Sequence, residues 1–478
     1  MPGPIVRTRF APSPTGELHI GGARTALYAY LFAKKNDGYF LVRIEDTDQS
    51  RLVKDSDLRI LEVLEWLGLN WAEDPIYQSS RTSLYKEYAR QLLEKGHAYF
   101  CFCSADRLEK LRLEQTKKKQ PIGYDRFCRN LKGEEILSKL KNNEPHIIRM
   151  KIPLGEKISF DDMIRGRVEF NTNNIDDQVL IKSDGFPTYH LASVVDDYES
   201  GITHILRGEE WLSSTPKHLL LYKFFGWHPP VIAHLPNIVG KDKKKLSKRE
   251  GDVSVEKFKK DGYLPEAIIN FIAFLGWSPN DEREFFTLKE LSREFIPEKI
   301  HKNPAILDLD KLQYINSYYI RKMNEDILID LLRDFSKIDI DSYDKEFIGK
   351  ILKVTRDRMR TLKDFDLLTN YFFASPKVKK DILKFPKSFW PETIKGISAA
   401  RDNLAKAPES SWKSLGILED ILKRTVEAEN LKNGDVFWPV RYALSGEEKS
   451  PSPAELLWVL GREEGLKRIK KALEKVIS

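Results

Sequence analysis

Arg9-Phe10-Ala11-Pro12-Ser13-Pro14-Thr15-Gly16-Glu17-Leu18-His19-Ile20-Gly21-Gly22 is the stretch around which the chain is arranged. Residues 5–11 are a short β-prone run, and residues 23–35 place Leu27, Tyr30 and Leu31 at helical spacing. The stretch therefore closes a strand and opens a helix. Pro12, Pro14 and Gly16 break both regular structures and fix a tight loop, while Gly21 and Gly22 remove side chains where a helix N-terminus meets a ligand. Such a terminus presents free N–H groups and positive potential, which suit a phosphate. His19 adds an imidazole that can donate to an oxygen gaining charge in phosphoryl chemistry. A plain turn with a surface histidine fits the same residues, so this stretch alone leaves both readings open.

A second element breaks the tie. Lys241-Asp242-Lys243-Lys244 continues into Lys245-Leu246-Ser247-Lys248-Arg249. Together the two stretches resemble the paired signatures of class I aminoacyl-tRNA synthetases, and Ala11-Pro12-Ser13-Pro14-Thr15-Gly16 is similar to the glutamyl form. The resemblance runs along nearly the whole chain, strongest over residues 9–66 and 187–249 and weakest after residue 325. It implies an α/β nucleotide-binding fold, Rossmann-like with a parallel sheet, interrupted by an α+β insertion and followed by all-α C-terminal domains. The implied divisions are residues 1–82 and 187–240 for the catalytic halves, 83–186 for an acceptor-end-binding insertion, 241–324 for a stem-contact domain, and 325–375 and 376–478 for two helical anticodon-binding parts.

Composition sets bounds around this. A chain of 478 residues holds three or more domains at ordinary domain sizes. Apolar content of 41% and charged content of 32% fit a globular protein, and the net charge of +7 is compatible with a polyanionic partner. No apolar core follows Met1-Pro2-Gly3-Pro4 and no apolar run is long enough to span a bilayer, so a cytoplasmic protein with no membrane partner, monomeric by default, is expected. The three cysteines, Cys101, Cys103 and Cys128, cannot form a complete disulfide framework, and their clustering points to a metal or to chance.

In chain order, residues 39–44 read as a second strand running into Glu45-Asp46-Thr47-Asp48. A carboxylate at the carboxyl end of a parallel strand faces the ligand crevice, so Glu45 suits a substrate ammonium; Asp46 and Asp48 equally suit the start of the next helix, marked by Leu58, Leu61, Leu64 and Leu67 and closed by Gly68. At the start of the insertion, Leu84, Tyr85, Tyr88, Ala89 and Leu92 form a helical stripe stopped by Gly96. Zinc prefers four tetrahedral ligands, and three thiolates need one more donor. Some glutamyl-type enzymes similar to this chain pair Cys-x-Cys with a later Cys and either a preceding Tyr or a following His. Asn130 occupies the His position, so the resemblance implies Tyr124 as the fourth ligand of bound Zn2+.

Residues 179–193 read as a hairpin with Asp184-Gly185 as its turn. The resemblance then places Arg9, Ala11, Ser13, Glu45, Tyr189, Ser193, Arg207, Glu210 and Trp211 around a glutamate pocket, with Ser193 standing where Asn is often found. Chemistry supports the arginines independently, since preferring glutamate over glutamine requires a cation for the side-chain carboxylate, while structural ion pairs are the alternative reading of the same residues. For ATP, the resemblance implies His19, Gly21, Gly22, His234, Leu235 and Lys248, with His19, Lys245 and Lys248 as the catalytic set and Gly22 where a second His often stands. Helical stripes follow residue 324, and Arg356, Arg358 and Arg360, read as sharing one helical stretch, either meet the anticodon or are solvated helix charges. Trp390, Trp412 and Trp438 read as core.

The implied reaction joins the α-carboxylate of glutamate to the α-phosphate of ATP, expelling pyrophosphate, and then passes the glutamyl group to a terminal ribose hydroxyl of tRNA(Glu), with tRNA(Gln) as a further possible acceptor. ATP implies Mg2+. Three rivals compete: a truncated paralogue that glutamylates a tRNA base, a small-molecule nucleotidyltransferase, and a non-catalytic RNA-binding protein.

Overall fold

The structure is a computed structural model that describes residues 5–243 and 253–477. Lys245 and Lys248 lie outside the described residues. The chain divides into two compact units, residues 1–259 with 265–309, and residues 260–264 with 310–478.

The first unit begins with β1 (Arg7–Phe10), α1 (Ile20–Lys35) and β2 (Tyr39–Ile44). Helix α1 buries Ala23, Ala26, Leu27, Tyr28, Ala29 and Leu31, because sheet covers one side and later helices the other. Tyr28, for example, donates its hydroxyl to the carbonyls of Ala273 and Leu275 and packs 5.1 Å from the Phe295 ring. Then come α2 (Ser56–Trp66), β3 (Ile76–Tyr77), α3 (Thr82–Glu94) and β4 (Ala98–Cys101). Strands β1, β2 and β3 pair in parallel in the order 1-2-3.

The intervening region carries α4 (Ala105–Lys117), α5 (Gly133–Lys141), β5 (Ile147–Met150), β6 (Lys157–Asp162), β7 (Gly166–Asn171) and β8 (Val179–Ile181). Strands β4, β5 and β8 form an antiparallel sheet. The β6–β7 hairpin instead joins the returning half of the parallel fold, where β6 pairs with β10. That half comprises α6 (Tyr189–Glu199), β9 (His204–Gly208), α7 (Thr215–Phe225) and β10 (Val231–Leu235), with β9 and β10 parallel over five residue pairs from Val231↔His204 to Leu235↔Gly208. Thr203 ties β9 to β1: its N–H donates to the Arg7 carbonyl, and its hydroxyl accepts from the Arg7 N–H. Residues nearly two hundred positions apart thereby meet in one α/β layer.

The expected hairpin over residues 179–193 is a correction. The turn forms, with Gly185 at φ 84°, but its return arm is a single bridge from Ile181 to Pro187. Pro187 offers no N–H to a ladder, and Tyr189 already opens α6, whose Leu191, Ala192, Val194 and Val195 are buried at helical spacing.

The unit ends with β11 (Ile238–Val239), α8 (Val255–Lys260), α9 (Pro265–Ala273), α10 (Leu288–Glu294) and β12 (Ala305–Ile306), where β11 and β12 pair in parallel. The second unit is helical: α11 (Leu309–Lys322), α12 (Glu325–Phe335), α13 (Lys345–Thr355), α14 (Asp364–Phe373), α15 (Lys380–Leu383), α16 (Trp390–Lys406), α17 (Leu415–Ala428), α18 (Asn433–Ser445) and α19 (Pro453–Ile477). Trp412 is buried there, and the Trp438 indole N–H donates to the Ile382 carbonyl, consistent with core roles. Among the described residues no helix is long and apolar enough to cross a membrane.

The three arginines do not share a helix. Helix α13 ends at Thr355, Arg356–Arg358 form a tight 3-10 turn, and Arg360 follows it. Nη2 of Arg356 donates to the carbonyls of Ile320, Arg321 and Met323, capping the carboxyl end of α11, whereas Arg358 and Arg360 are exposed.

Candidate active site

His19 is the N-cap of α1. Its Nδ1 accepts the Gly22 N–H at 3.1 Å, which leaves the proton of the neutral ring on Nε2, facing outward as a donor. The ring is accessible yet crowded: desolvation lowers its pKa below the ordinary histidine value, opposed in part by Glu210. The glycines serve the histidine first. A Cβ on Gly21 would stand 3.1 Å from His19 Nδ1, and one on Gly22 would stand 2.9 Å from Leu18 Cδ1.

The loop is held from both sides. Pro12 accepts from Glu45 N–H, Pro14 from Val53 N–H, and Gly16 from the Ser56 hydroxyl. On the other flank, Ile20 N–H donates to the Val253 carbonyl, His19 bridges Ser254, Val255 N–H donates to Leu18, and Leu18 N–H donates to Glu256. The segment that follows the lysine run thus pairs directly with the loop carrying His19.

Deeper in the cleft sits a charge cluster that sequence reading missed in part. Asp197, on α6, accepts from Arg9 Nε at 2.9 Å and from Arg43 Nη1 at 2.6 Å; all three side chains are buried. Burial alone would raise the Asp197 pKa, but Arg43 and Arg9 hold it below the ordinary carboxylate value. Arg43 also donates to Glu45 at 3.1 Å and to Ser193 Oγ at 3.2 Å. Burial pushes the Glu45 carboxyl upward, against the pull of Arg43 and Arg9. Thus Arg9, Glu45 and Ser193 are brought together, with Arg43 and Asp197 as the joint. Adjacent acids after an apolar helical run, Val194-Val195-Asp196-Asp197, were the available signal. Asp46 does not start a helix: it accepts from both N–H and hydroxyl of Ser79, and α2 begins only at Ser56.

Arg207, also buried, donates to Tyr189 Oη at 3.3 Å, and Tyr189 packs 4.2 Å from the Trp211 ring. Ala11, Ser13, Gly21 and Gly22 line the loop with at least partial exposure. The His234 ring is wholly buried between Asp162 and Arg207, and the Leu235 side chain is buried as well, so neither side chain is free to meet a nucleotide.

The cysteine cluster lies in the antiparallel insertion. The Sγ atoms of Cys101, Cys103 and Cys128 lie within 4.8 Å of one another, and the Tyr124 hydroxyl stands 3.3 Å from Cys101 and 3.4 Å from Cys103. Tetrahedral Zn2+ with ordinary bond lengths requires S–S edges of about 3.8 Å and S–O edges of about 3.5 Å, so these four donors fit. Arg107 donates to Cys103 at 3.4 Å, and the Arg149 guanidinium lies 4.0 Å from the Tyr124 ring centroid, offering compensation for bound anions. Burial pushes the Cys103 thiol up to about 12.

A strand, a histidine-capped helix and an arginine-rich cleft in one α/β layer match a known pattern. The family described as "tRNA synthetases class I (E and Q), catalytic domain" matches residues 5–314, and the "Anticodon binding domain" matches residues 327–473. The chain belongs to the class I tRNA synthetases of the glutamate and glutamine branch. It is 42% identical to a glutamate–tRNA ligase of Clostridioides difficile, over 97% of this chain and 98% of the relative. It is 43% identical to one of Borreliella burgdorferi, over 98% of each. Among solved structures, the glutamate tRNA ligase of Elizabethkingia meningosepticum in complex with its amino acid superposes with a TM-score of 0.91 at 37% identity, covering 99% of this chain and 100% of the other. The match to an anticodon-binding domain after the catalytic one sets the chain apart from a truncated paralogue.

Proposed function

We propose that the chain attaches L-glutamate to the 3′ end of tRNA(Glu) in two steps, through a glutamyl-adenylate. The observation that carries this reading is the pairing of Leu18–Glu256, Ile20–Val253 and Val255–Leu18, which brings the segment after the lysine run against the loop of His19. Lys248 precedes Val253 by five positions in the sequence.

The substrate is its own nucleophile, so the protein supplies alignment and charge. ATP, arriving with Mg2+, would lie with its phosphates at the N-terminus of α1, against Gly21, Gly22 and the backbone near Leu235. His19 would donate its Nε2 proton to an oxygen gaining charge as the α-carboxylate of glutamate attacks the α-phosphate, and Lys245 and Lys248 would stabilise departing pyrophosphate. Glu45 would face the substrate ammonium, and Arg9 and Arg207, beside Tyr189 and Ser193, its carboxylate. The binding of glutamate rather than glutamine then follows from the guanidinia. The chain's own Cys101, Cys103, Tyr124 and Cys128 would hold Zn2+, which ties the insertion together and stands outside the chemistry. Arg358 and Arg360, exposed at the α13–α14 turn, are the better placed anticodon contacts, since Arg356 is spent on α11.

ATP–pyrophosphate exchange tests the reading. Exchange should require glutamate and rise sharply on adding tRNA(Glu). Glutamate-independent exchange would point to a different nucleotidyltransferase, and no exchange under any condition would favour a non-catalytic RNA-binding protein. Charging of tRNA(Gln) in parallel decides whether one or both tRNAs are substrates.

A further inference from the structure

Arg207 is a buried cation held without an ion pair. Among the described residues no carboxylate lies within 4.0 Å of its guanidinium, and four of its five N–H groups go to uncharged acceptors. Nε donates to His234 Nε2 at 3.1 Å, Nη1 to Tyr189 Oη at 3.3 Å and to His218 Nδ1 at 3.2 Å, and Nη2 to Thr215 Oγ1 at 2.8 Å. These bonds fix two tautomers. His234, accepting at Nε2, carries its proton on Nδ1 and donates it to Asp162 at 2.6 Å. His218, accepting at Nδ1, carries its proton on Nε2 and donates it to His190 Nδ1 at 3.1 Å. One chain of hydrogen bonds, Asp162, His234, Arg207, His218, His190, therefore crosses the cleft floor from β6 to α6.

Arg9 and Arg43 are treated differently: they share the carboxylate of Asp197. A buried guanidinium that shares a carboxylate has part of its charge compensated before a ligand arrives, whereas one fixed by imidazole nitrogens keeps both its geometry and its whole charge. Burial lowers the pKa of all three histidines below the ordinary value, that of His190 to about 3, so at neutral pH none of them repels Arg207.

We propose that His218 and His234 are positioning residues that set amino-acid specificity, holding the Arg207 plane with neutral acceptors so that its whole positive charge serves the side-chain carboxylate of glutamate and discriminates against the neutral amide of glutamine. This rests on the glutamate reading above and adds to it the groups that keep the selecting charge uncompensated.

The test is tRNA-dependent ATP–pyrophosphate exchange by the full chain, with glutamate and glutamine titrated separately. His218→Leu should raise KM for glutamate about 10-fold or more while kcat and KM for ATP move less than about 3-fold. His218→Asn, which keeps an acceptor near the Nδ1 position, should stay within about 3-fold of wild type, and His218→Asp, which sets a carboxylate beside Arg207, should raise KM for glutamate further and narrow the preference over glutamine about 10-fold or more. Thermal melting of each variant establishes that it is folded. Should His218→Leu not fold, His218→Gln, which keeps an amide but displaces its acceptor, carries the test with the same expected rise. Unchanged KM for glutamate in these variants, equal losses in KM for ATP, or an Asn variant no better than Leu would overturn the proposal. Wild-type protein lacking glutamate-dependent exchange would refute the glutamate reading itself, and this proposal with it, before any variant is compared.

Discussion

The backbone N–H of Ile20 donates to the carbonyl of Val253 at 3.1 Å, joining positions more than two hundred residues apart at the start of one helix. The contact joins the segment that follows the lysine run to the residue beside His19. A histidine that both caps α1 and presents its Nε2–H outward has two separable duties.

His19→Ala should raise the activation barrier by about 2–4 kcal/mol, the cost of one lost transition-state donor, read as kcat in the exchange assay. It should also lower stability by about 1 kcal/mol through loss of the N-cap. His19→Ser, a good cap that cannot reach the phosphate, should restore the melting temperature and leave the rate low. Because the pKa of His19 lies below 6.5, kcat should show no inflection from this group at or above that pH.

Stability should fall on acidification from pH 7 to pH 5, and His190 gives the clearest share. Its folded pKa, about 3, lies below the unfolded value of about 6.5. The unfolded chain therefore takes up the proton first, so the contribution is complete above pH 6.5 and is lost as the pH falls from there toward 3. Between pH 7 and pH 5 this amounts to about 2 kcal/mol, and His190→Asn should flatten the denaturant-measured stability profile by that amount. His218 and His234 act in the same direction, while the raised carboxyls of Glu45 and Asp196 oppose them.

The four-donor cluster predicts about one Zn2+ per chain by elemental analysis. Tyr124→Phe should weaken retention about 10-fold or more in a chelator competition, and Cys128→Ser should abolish it and lower the melting temperature, with glutamate KM nearly unchanged. Metal content equal in all three proteins would contradict the assignment.

In the helical unit, Arg356→Ala should destabilise by about 2–3 kcal/mol, because three carbonyls at the end of α11 lose a charged donor. Arg358→Ala should stay within about 0.5 kcal/mol in stability and act, if on anything, on KM for tRNA. Chemical denaturation alongside tRNA titration checks both.

The strand, loop and helix of residues 7–35 were legible because proline and glycine punctuate the sequence where the apolar period changes from two to 3.6. Helix α2 and its stop at Gly68, with φ 75°, were legible for the same reason. The failures share a cause in distance. Nothing near Arg9 announces Asp197, which reaches it from α6 only once β9 has docked on β1. An Asp-Gly turn marked residues 184–185 correctly, but local turn chemistry does not reveal that Pro187 ends the ladder and that α6 follows at once. Arg356 looked like a surface charge because the carbonyls it caps belong to a helix thirty-odd residues earlier. Tyr124 lies among the thiols because Arg126, with φ 59°, turns the chain between it and Cys128, whose N–H donates to the Tyr124 hydroxyl.

Transfer of labelled glutamate to purified tRNA(Glu), intact or with its terminal ribose oxidised by periodate, separates esterification of the 3′ end from every other acceptor. Intact tRNA should be charged in an ATP-dependent way through a base-labile ester, oxidised tRNA not at all, and His19→Ala should lose about 30-fold or more. Glutamate transferred equally to oxidised tRNA, or charging indifferent to His19, would contradict the proposed two-step attachment at the 3′ end.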